Sequence, residues 1–209
     1  MRAIILVCSP EETTKILNGD KSLLIRKLKP NCELPIDVYI YCTKDSEKAL
    51  VKTFNQGYQE TRVYDEIWKE NHIKLNGKVV AKFTLNKVEE IKPTDIYETF
   101  STNPFDTQIQ ETCEWCKKSC LTFSELDNYL NGNKGYGWHI TKLEIFDKPK
   151  EISEFHKVDK SWGFICYNCP HFCTDDSAGY SIDSCELGFG NCEKTRLTRA
   201  PQSWCYIEV

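Results

Sequence analysis

The chain has 209 residues, a formal net charge of −4, 40% hydrophobic residues and 28% charged residues. This composition is typical of a globular protein with one sizeable domain, and the acidic balance argues against a generic nucleic-acid coat while leaving room for a local basic pocket. No apolar run approaches the roughly 20 residues that a membrane-spanning helix needs. The first residues, "MRAIILVCSPEE", do not read as a signal peptide, so the sequence predicts a cytoplasmic protein with no membrane partner.

The N-terminal part of the chain predicts strands around a capped helix. The aliphatic run "RAIILVC" predicts a buried strand. The stretch "SPEETTKILNG" predicts a helix over 10–18, with Ser9 as its N-cap, Glu12 closing a capping box and Gly19 at its C-terminal end. "KSLLIRK" then predicts a strand, and the alternating, β-branched "PIDVYIYCT" predicts another.

The remainder of the chain predicts further short elements. Residues 44–70 predict a helix and a loop, and Asn76-Gly77 between apolar runs predicts a β-hairpin. "LTFSELDNYLNGN" predicts a helix opened by a capping box of Thr122 and Glu125. "GYGWHITKLEIFD" predicts one strand, "PKEISEF" a short helix and "SWCYIEV" a last strand. Without a regular βαβ alternation, these elements predict an α+β protein around a small, mostly antiparallel, barrel-like sheet.

The stretch after the first helix carries a family resemblance. It resembles the G-x-K-x-x-E-x-R signature of ASC-homology (ASCH) domains at Gly19, Lys21 and Arg26. Leu24 stands where the signature has its acid, so Arg26 is expected to lack its ion partner. "VYIYCTK", "GKVVAKFTL", "LTFSEL", "YGWHITKLEIFDKPKEISEF" and "RAPQSWCYIEV" follow in an order similar to that of phage- and firmicute-type members.

The resemblance has consequences for fold and domain organisation. ASCH domains belong to the PUA-like superfamily, so the resemblance implies a small PUA-like β-barrel flanked by short helices. That domain would be built from residues 1–156 and 196–209, with residues 157–195 as a cysteine-rich insert that binds metal.

The signature residues are candidates for ligand binding. Lys21 and Arg26 are five residues apart and would lie on opposite faces of a regular strand, so they converge only if Lys21 precedes the strand or the strand bulges. The residues alone also fit a solvated edge strand; the resemblance favours a basic cleft that recognises RNA or a nucleotide. Trp138 and Trp204 are candidates for stacking on a base, although packing is the commoner fate of tryptophan. The predicted ligand-binding residues are Gly19, Lys21, Arg26, Trp138 and Trp204.

An enzymatic function is the alternative. Small ASCH amidohydrolases deacylate N4-acetylcytidine with a lysine, a threonine and a glutamate, which fall here on Lys21, Leu24 and Ser119. A leucine is no nucleophile and a serine no general base, so this activity is expected to be absent. A hydrolase acting on other modified nucleosides or on RNA stays open, with Lys21 as the catalytic group and Ser22 or Cys120 as a replacement.

The twelve cysteines predict metal binding. In a reducing compartment clustered cysteines indicate metal or reactivity, and "CEWCKKSC" and "CYNCPHFC" share the spacing C-x2-C-x3-C. Four thiolates suit tetrahedral structural zinc; an iron–sulfur cluster, unligated thiols and His171 as a ligand are the alternatives, and an insert held by metal could dock a protein partner. The predicted zinc ligands are Cys166, Cys169, Cys185 and Cys192, with a possible second set of Cys113, Cys116, Cys120 and Cys173.

Overall fold

The computed structural model describes residues 2–53, 57–62, 72–92, 114–157 and 195–209. Within these ranges the helices are α1 (Pro10–Leu17), α2 (Glu114–Ser119) and α3 (Phe123–Leu130), and one 3-10 turn covers Ile152–Glu154. The strands are β1 (Arg2–Cys8), β2 (Leu23–Arg26), β3 (Ile36–Cys42), β4 (Lys48–Thr53), β5 (Gly57–Arg62), β6 (His72–Lys74), β7 (Lys78–Leu85), β8 (Val88–Ile91), β9 (Gly135–His139), β10 (Thr141–Glu151), β11 (His156–Lys157) and β12 (Trp204–Glu208).

The described strands form three sheets. The first has the order β10-β7-β3-β1-β12-β11, and its neighbours are antiparallel except β1 and β3, which run parallel. The second has the order β2-β9-β8 and the third β5-β4-β6, both antiparallel. The architecture is therefore α+β and mostly antiparallel, as predicted. The sheets do not close into a barrel within the described residues, which corrects that part of the expectation.

The apolar core lies on both faces of the first sheet. Successive side chains of a strand point to opposite faces, so Ile4 belongs to the cluster on one face and Ile5 to the cluster on the other. Helix α1 packs on the first of these faces through Ile16 and Leu17. The second sheet buries Leu23 against α3 in a separate cluster. The segment between α1 and β2 therefore lies where the first face, the second sheet and α3 meet.

Both predicted helices with N-terminal caps are confirmed. The Ser9 hydroxyl accepts a hydrogen bond from the Glu12 amide at 3.1 Å, and α1 begins with Pro10. The capping box of Thr122 and Glu125 is complete at α3. At α1 the Glu12 carboxylate contacts other groups, which form the candidate site below.

The helix predicted within residues 44–70 is wrong for the part that the structure describes. Strands β4 and β5 form an antiparallel pair there, and β4 also pairs with β6. Leu50 and Val51 are buried in this third sheet. Strand propensity depends on such partners, which the local pattern of residues does not reveal.

The turn at Asn76-Gly77 is correct, but the hairpin predicted around it is wrong. Strands β6 and β7 flank the turn and pair in different sheets, β6 with β4 and β7 with β3 and β10. Gly77 has φ +77°, as a turn glycine should. The Asn76 amide nitrogen donates to the carbonyls of Thr43 (3.1 Å) and Lys48 (3.0 Å), and its oxygen accepts from the Leu50 amide (2.8 Å). These bonds hold the turn against the start of β4 and send the chain from one sheet to another.

Two C-terminal predictions also need correction. The strand predicted over 135–147 divides at Ile140, because β9 pairs with β2 and β8 whereas β10 joins β7 in the first sheet. The helix predicted over 149–155 is only a 3-10 turn. Its first residues belong to β10, which stays paired with β7 as far as Glu151, opposite Lys78.

The predicted insert begins and ends at the edge of the first sheet. Strand β11 pairs with β12, and an isolated bridge joins His156 to Arg196. The chain therefore leaves and rejoins this sheet at neighbouring positions on either side of residues 158–194. That segment lies outside the described residues, so the domain boundary stays a prediction. None of the described helices has the length and apolar character needed to span a bilayer.

Candidate functional site

A glycine turn brings Lys21 back alongside α1. Gly19 has φ +82°, a left-handed conformation that is unfavourable for residues with a Cβ atom. The Lys21 amide then donates to the Lys15 carbonyl of the helix at 3.0 Å. Strand β2 begins only at Leu23, so Lys21 precedes the strand. Strand alternation, which would separate Lys21 from Arg26, therefore does not apply to this pair.

Lys21 and Arg26 meet at the carboxylate of Glu12 in the first turn of α1. Lys21 Nζ lies 3.0 Å from Glu12 Oε1. Arg26 binds both carboxylate oxygens, with Nη2 2.9 Å from Oε2 and Nη1 3.2 Å from Oε1. Lys21 and Arg26 are only 6% and 9% exposed. This is a buried ion cluster with bidentate arginine geometry, the strongest form of such a contact.

The charges of the cluster shift the pKa values within it. Burial alone would raise the pKa of Glu12, but Arg26 and Lys21 more than offset this and lower it from 4.5 to about 2. Burial disfavours the charged form of Arg26, yet the Glu12 carboxylate raises the pKa of the guanidinium above its ordinary value. Burial, together with Glu12, raises the pKa of the nearby Cys8 thiol well above its ordinary value. At neutral pH the carboxylate is therefore ionised and the thiol neutral.

Glu12 corrects the expectation that Arg26 lacks an ion partner. Leu24, at the position of the signature acid, is fully buried in the core and lies opposite Trp138 in the β2–β9 register. The acid comes from helix α1 instead. The sequence contains a signal for this, because Glu12 is in the first turn of a helix that ends just before Lys21. This signal was missed because Glu12 was interpreted as part of a capping box.

A cavity of about 260 Å³ opens beside this ion cluster. The described residues that line it are two cations, two carboxylates, one tyrosine and two aliphatic side chains: Lys21, Arg26, Glu12, Glu125, Tyr129, Ile25 and Leu121. Tyr129 is 40% exposed and forms one wall. The formal charge of this lining is zero, so the basic cleft expected from the sequence is corrected to a neutral cavity with both donors and acceptors.

Exposed lysines lie over two tyrosine rings, of which Tyr129 lines this cavity, whereas Tyr136 lines a separate cavity together with Lys29. Lys27 Nζ is 5.2 Å from the centroid of Tyr129, and the Nζ atoms of Lys29 and Lys134 are 6.0 and 5.8 Å from the centroid of Tyr136. These distances are typical of cation–π contacts. We call these five residues the lysine–tyrosine rim. The sequence interpretation treated Lys27 and Lys29 as plain surface charges, because it could not place either tyrosine beside them.

The two predicted stacking tryptophans pack together away from the cavity. Trp138 is completely buried in the main core, and its Nε1 atom has no hydrogen-bond partner among the described residues. Trp204 packs edge-on against it with ring centroids 5.5 Å apart, and Tyr206 packs against Trp204 at the same distance. Neither tryptophan belongs to the described lining of the cavity. The aromatic wall is Tyr129, whose signal in the sequence was only its place on the capped helix.

The cysteines divide between described and undescribed residues. Cys116 is buried in the apolar cluster beneath α3, and the Cys120 thiol contacts the Asp20 carbonyl at 3.2 Å. In the described part of the chain, no three His, Cys, Asp or Glu side chains are grouped so that they could hold a metal ion. The remaining predicted ligands lie outside the described residues: Cys113, Cys166, Cys169, Cys173, Cys185 and Cys192.

The positions that correspond to the amidohydrolase residues are unsuited to that chemistry. Leu24 is apolar and fully buried. Ser119 is also fully buried, and its hydroxyl donates to the Cys116 carbonyl at 3.4 Å. Ser22 and Cys120 do not belong to the described lining of the cavity. Only Lys21, bound to Glu12, lies where a ligand could reach it.

Comparisons with known proteins give likenesses of fold. No protein-family model matches the chain, and no curated protein is significantly similar to it. Among solved structures, the chain is similar to the ASCH protein from Zymomonas mobilis, at 12% identity and a TM-score of 0.43, with 72% of this chain and 73% of that chain covered. It is also similar to a tyrosine-to-phenylalanine mutant of that protein (11%, 0.45, 72% and 76%) and to a serine-to-alanine mutant (12%, 0.44, 71% and 73%). These are structures of ASCH domains, and so distant a likeness says nothing about ligand or chemistry.

Proposed function

We propose that the chain binds RNA bases or nucleotides, with a base in the cavity beside Glu12 and phosphate at the lysine–tyrosine rim. The observation that carries this proposal is the meeting of Lys21 and Arg26 at Glu12, on a cavity walled by Tyr129. The ASCH resemblance of the signature residues supports the same class of ligand.

A neutral cavity with both donors and acceptors suits a nucleobase. The edge of a base carries amino, ring-nitrogen and carbonyl groups side by side, and proteins recognise unpaired bases along that edge. Lys21 Nζ has three N–H donors, and the contact with Glu12 occupies one of them. The half-exposed ring of Tyr129 offers a face on which the base can stack. An isolated phosphate would find two carboxylates in the same cavity, which disfavours it there.

The rim supplies positive charge where the phosphates would lie. Lys27 follows Arg26 directly and Lys29 comes two residues later; both are exposed, and each lies over a tyrosine ring. Contacts of this kind position a nucleic acid without reading its sequence, and they make binding depend on salt. In this proposal Lys21, Arg26 and Glu12 bind the base. The rim lysines bind the phosphates of the nucleic-acid backbone.

Replacement of Tyr129 by alanine tests this proposal. We expect Tyr129→Ala to weaken binding of a short single-stranded RNA by about 5- to 150-fold, because base–aromatic stacking contributes about 1–3 kcal/mol. Tyr129 is 40% exposed, so the free energy of unfolding should change little. The measurement is fluorescence anisotropy with a labelled RNA, together with calorimetry with mononucleotides.

Lys148→Ala is the control for this experiment, because Lys148 is exposed on β10 and is not part of the described cavity lining. It should bind RNA like the unmodified chain. Binding that is unchanged in Tyr129→Ala, or an unmodified chain that binds neither RNA nor nucleotides, contradicts the proposal.

The deacylase reaction should be absent. We expect purified protein incubated with N4-acetylcytidine to release no cytidine above background, because Leu24 and Ser119 offer neither a nucleophile nor a base. Chromatography of the nucleosides measures the outcome. Turnover that disappears in Lys21→Met would show that this prediction is wrong and that the chain is a hydrolase.

We also propose structural zinc in the cysteine-rich segment, held by Cys166, Cys169, Cys185 and Cys192. The support is the number and spacing of the thiols, which suit four-thiolate coordination of zinc. A segment folded by metal would also offer a surface for a protein partner.

A further inference from the structure

A second cavity lies on the other face of the first sheet. It has a volume of about 580 Å³, within the range of small-molecule sites. Val7 and Tyr41 line it and belong to the cluster on the face away from α1. They stand at the carboxyl ends of β1 and β3, the one parallel pair described in this sheet. In open α/β sheets, the space beyond the carboxyl ends of parallel strands is where ligands bind, and the arrangement here is analogous.

Tyr41 presents a polar group from the floor of this cavity. The residue is only 5% exposed, and no hydrogen bond to its hydroxyl is formed within the described residues. The β3–β7 register slips at this point, from Ile40 opposite Ala81 to Tyr41 opposite Val79. Such a bulge re-aims neighbouring side chains and is common beside functional sites. Burial raises the pKa of Tyr41, so the hydroxyl stays protonated and can donate a hydrogen bond.

The charged residues around this cavity favour an anion. Three cations line it, Lys44, Lys78 and Arg199, against one carboxylate, Glu151. Lys78 is paired with Glu151. In the described residues neither Lys44 nor Arg199 has a carboxylate within ion-pair distance, so two positive charges are left over. The Lys44 stem lies over Gly77, where an added Cβ would come within 3.0 Å of Lys44 Cε.

We infer that this second cavity binds a small phosphate ester, a further ligand site on this chain. The phosphate oxygens accept hydrogen bonds from Lys44 Nζ, the Arg199 guanidinium and the Tyr41 hydroxyl. The apolar side chains of Val7 and Ile152 contact the organic part of the ligand. The inference does not depend on the proposed function, because none of these residues lines the first cavity.

Calorimetric titration of the full chain tests this inference, with inorganic phosphate, ribose 5-phosphate and neutral ribose as probes. A sugar phosphate has no base for the first cavity, and any binding of its phosphate at the lysine–tyrosine rim would be independent of Lys44 and Arg199. We expect phosphate and ribose 5-phosphate to bind and ribose not to bind. Arg199→Ala and Lys44→Ala should each weaken binding about tenfold or more, since each removes a charged hydrogen bond from exposed positions that do not support the core. Tyr41→Phe should weaken it several-fold while keeping the ring.

Two matched variants decide where the ligand binds. Lys148→Ala is the charge control, and Tyr129→Ala alters the first cavity and the rim ring beneath Lys27, neither of which lines the second cavity; both should bind ribose 5-phosphate like the unmodified chain. The inference fails if phosphate and ribose 5-phosphate do not bind at millimolar concentration, or if Lys44→Ala and Arg199→Ala both leave the affinity unchanged. It also fails if Tyr129→Ala abolishes binding, since the ligand would then occupy the first cavity or the lysine–tyrosine rim. The proposed function is tested separately: RNA binding that depends on Tyr129 would still support it if any of these results ruled out the second site.

Discussion

Glu12→Gln should lower the free energy of unfolding by about 3–5 kcal/mol, because it leaves two buried cations without their counter-charge. Lys21 and Arg26 are 6% and 9% exposed, so water cannot replace the lost carboxylate charge. Glutamine has the same size and helix propensity similar to that of glutamate, so the effect reports on charge. Urea denaturation of the purified chain measures it.

Glu11→Gln is the matched control, one residue earlier on the same helix. The Glu11 side chain is 54% exposed, and its ion pairs with Lys15 (2.8 Å) and Lys48 (3.7 Å) lie on the surface. Exposed pairs contribute about 0–1 kcal/mol, so this variant should unfold almost like the unmodified chain. If the two variants lose equal stability, the buried cluster has no special role.

The same cluster predicts how stability depends on pH. The pKa of Glu12 is about 2 in the folded chain and near 4.5 when unfolded, so the folded state favours the ionised carboxylate. This contribution, about 3 kcal/mol, is fully present above pH 4.5 and is lost as the pH falls towards 2. The difference in stability between the unmodified chain and Glu12→Gln should shrink over that interval. A difference that stays constant with pH would contradict the assigned pKa.

Local signals predicted the local structure of this chain. The caps at Ser9 and Thr122 are each satisfied within one turn of helix, so the sequence alone places both helices. Strand β4 forms instead because it pairs with β5 and β6. The direction in which the chain leaves the turn at Asn76 depends on hydrogen bonds to carbonyl groups about 30 residues earlier. Interactions of that range leave no periodic pattern in the sequence, and there the predictions were wrong.

In the candidate site too, some residues could be predicted from local sequence signals and others could not. The G-x-K spacing and the resemblance singled out Lys21 and Arg26, and the turn at Gly19 brings them together. Glu12 was missed because its position also fits a capping box, and only the tertiary structure brings Lys21 and Arg26 within reach of its carboxylate. Tyr129 was missed because a tyrosine on a short amphipathic helix carries no local sign of the cavity that it faces.

Removal of zinc from the proposed cysteine site should also lower the stability of the chain strongly. The thiols of Cys166 and Cys169 are separated by two residues, the spacing of a zinc knuckle, and Cys185 and Cys192 complete a set of four. Because such a site exists only when the segment is folded, bound zinc would stabilise it by several kcal/mol. We expect elemental analysis of untagged protein to find roughly one or two zinc ions per chain, and a chelator to lower the melting temperature.

Cys169→Ser should lose zinc and melt earlier, because three thiolates hold the ion far less tightly than four. Cys32→Ser is the control, since Cys32 is a free thiol outside both predicted ligand sets and should retain the metal. If the protein contains iron and absorbs visible light, the same thiolates hold an iron–sulfur cluster and not zinc. Purified protein without metal, or equal zinc in the two variants, would contradict the site. In that case the clustered cysteines would have to be explained by thiol chemistry instead.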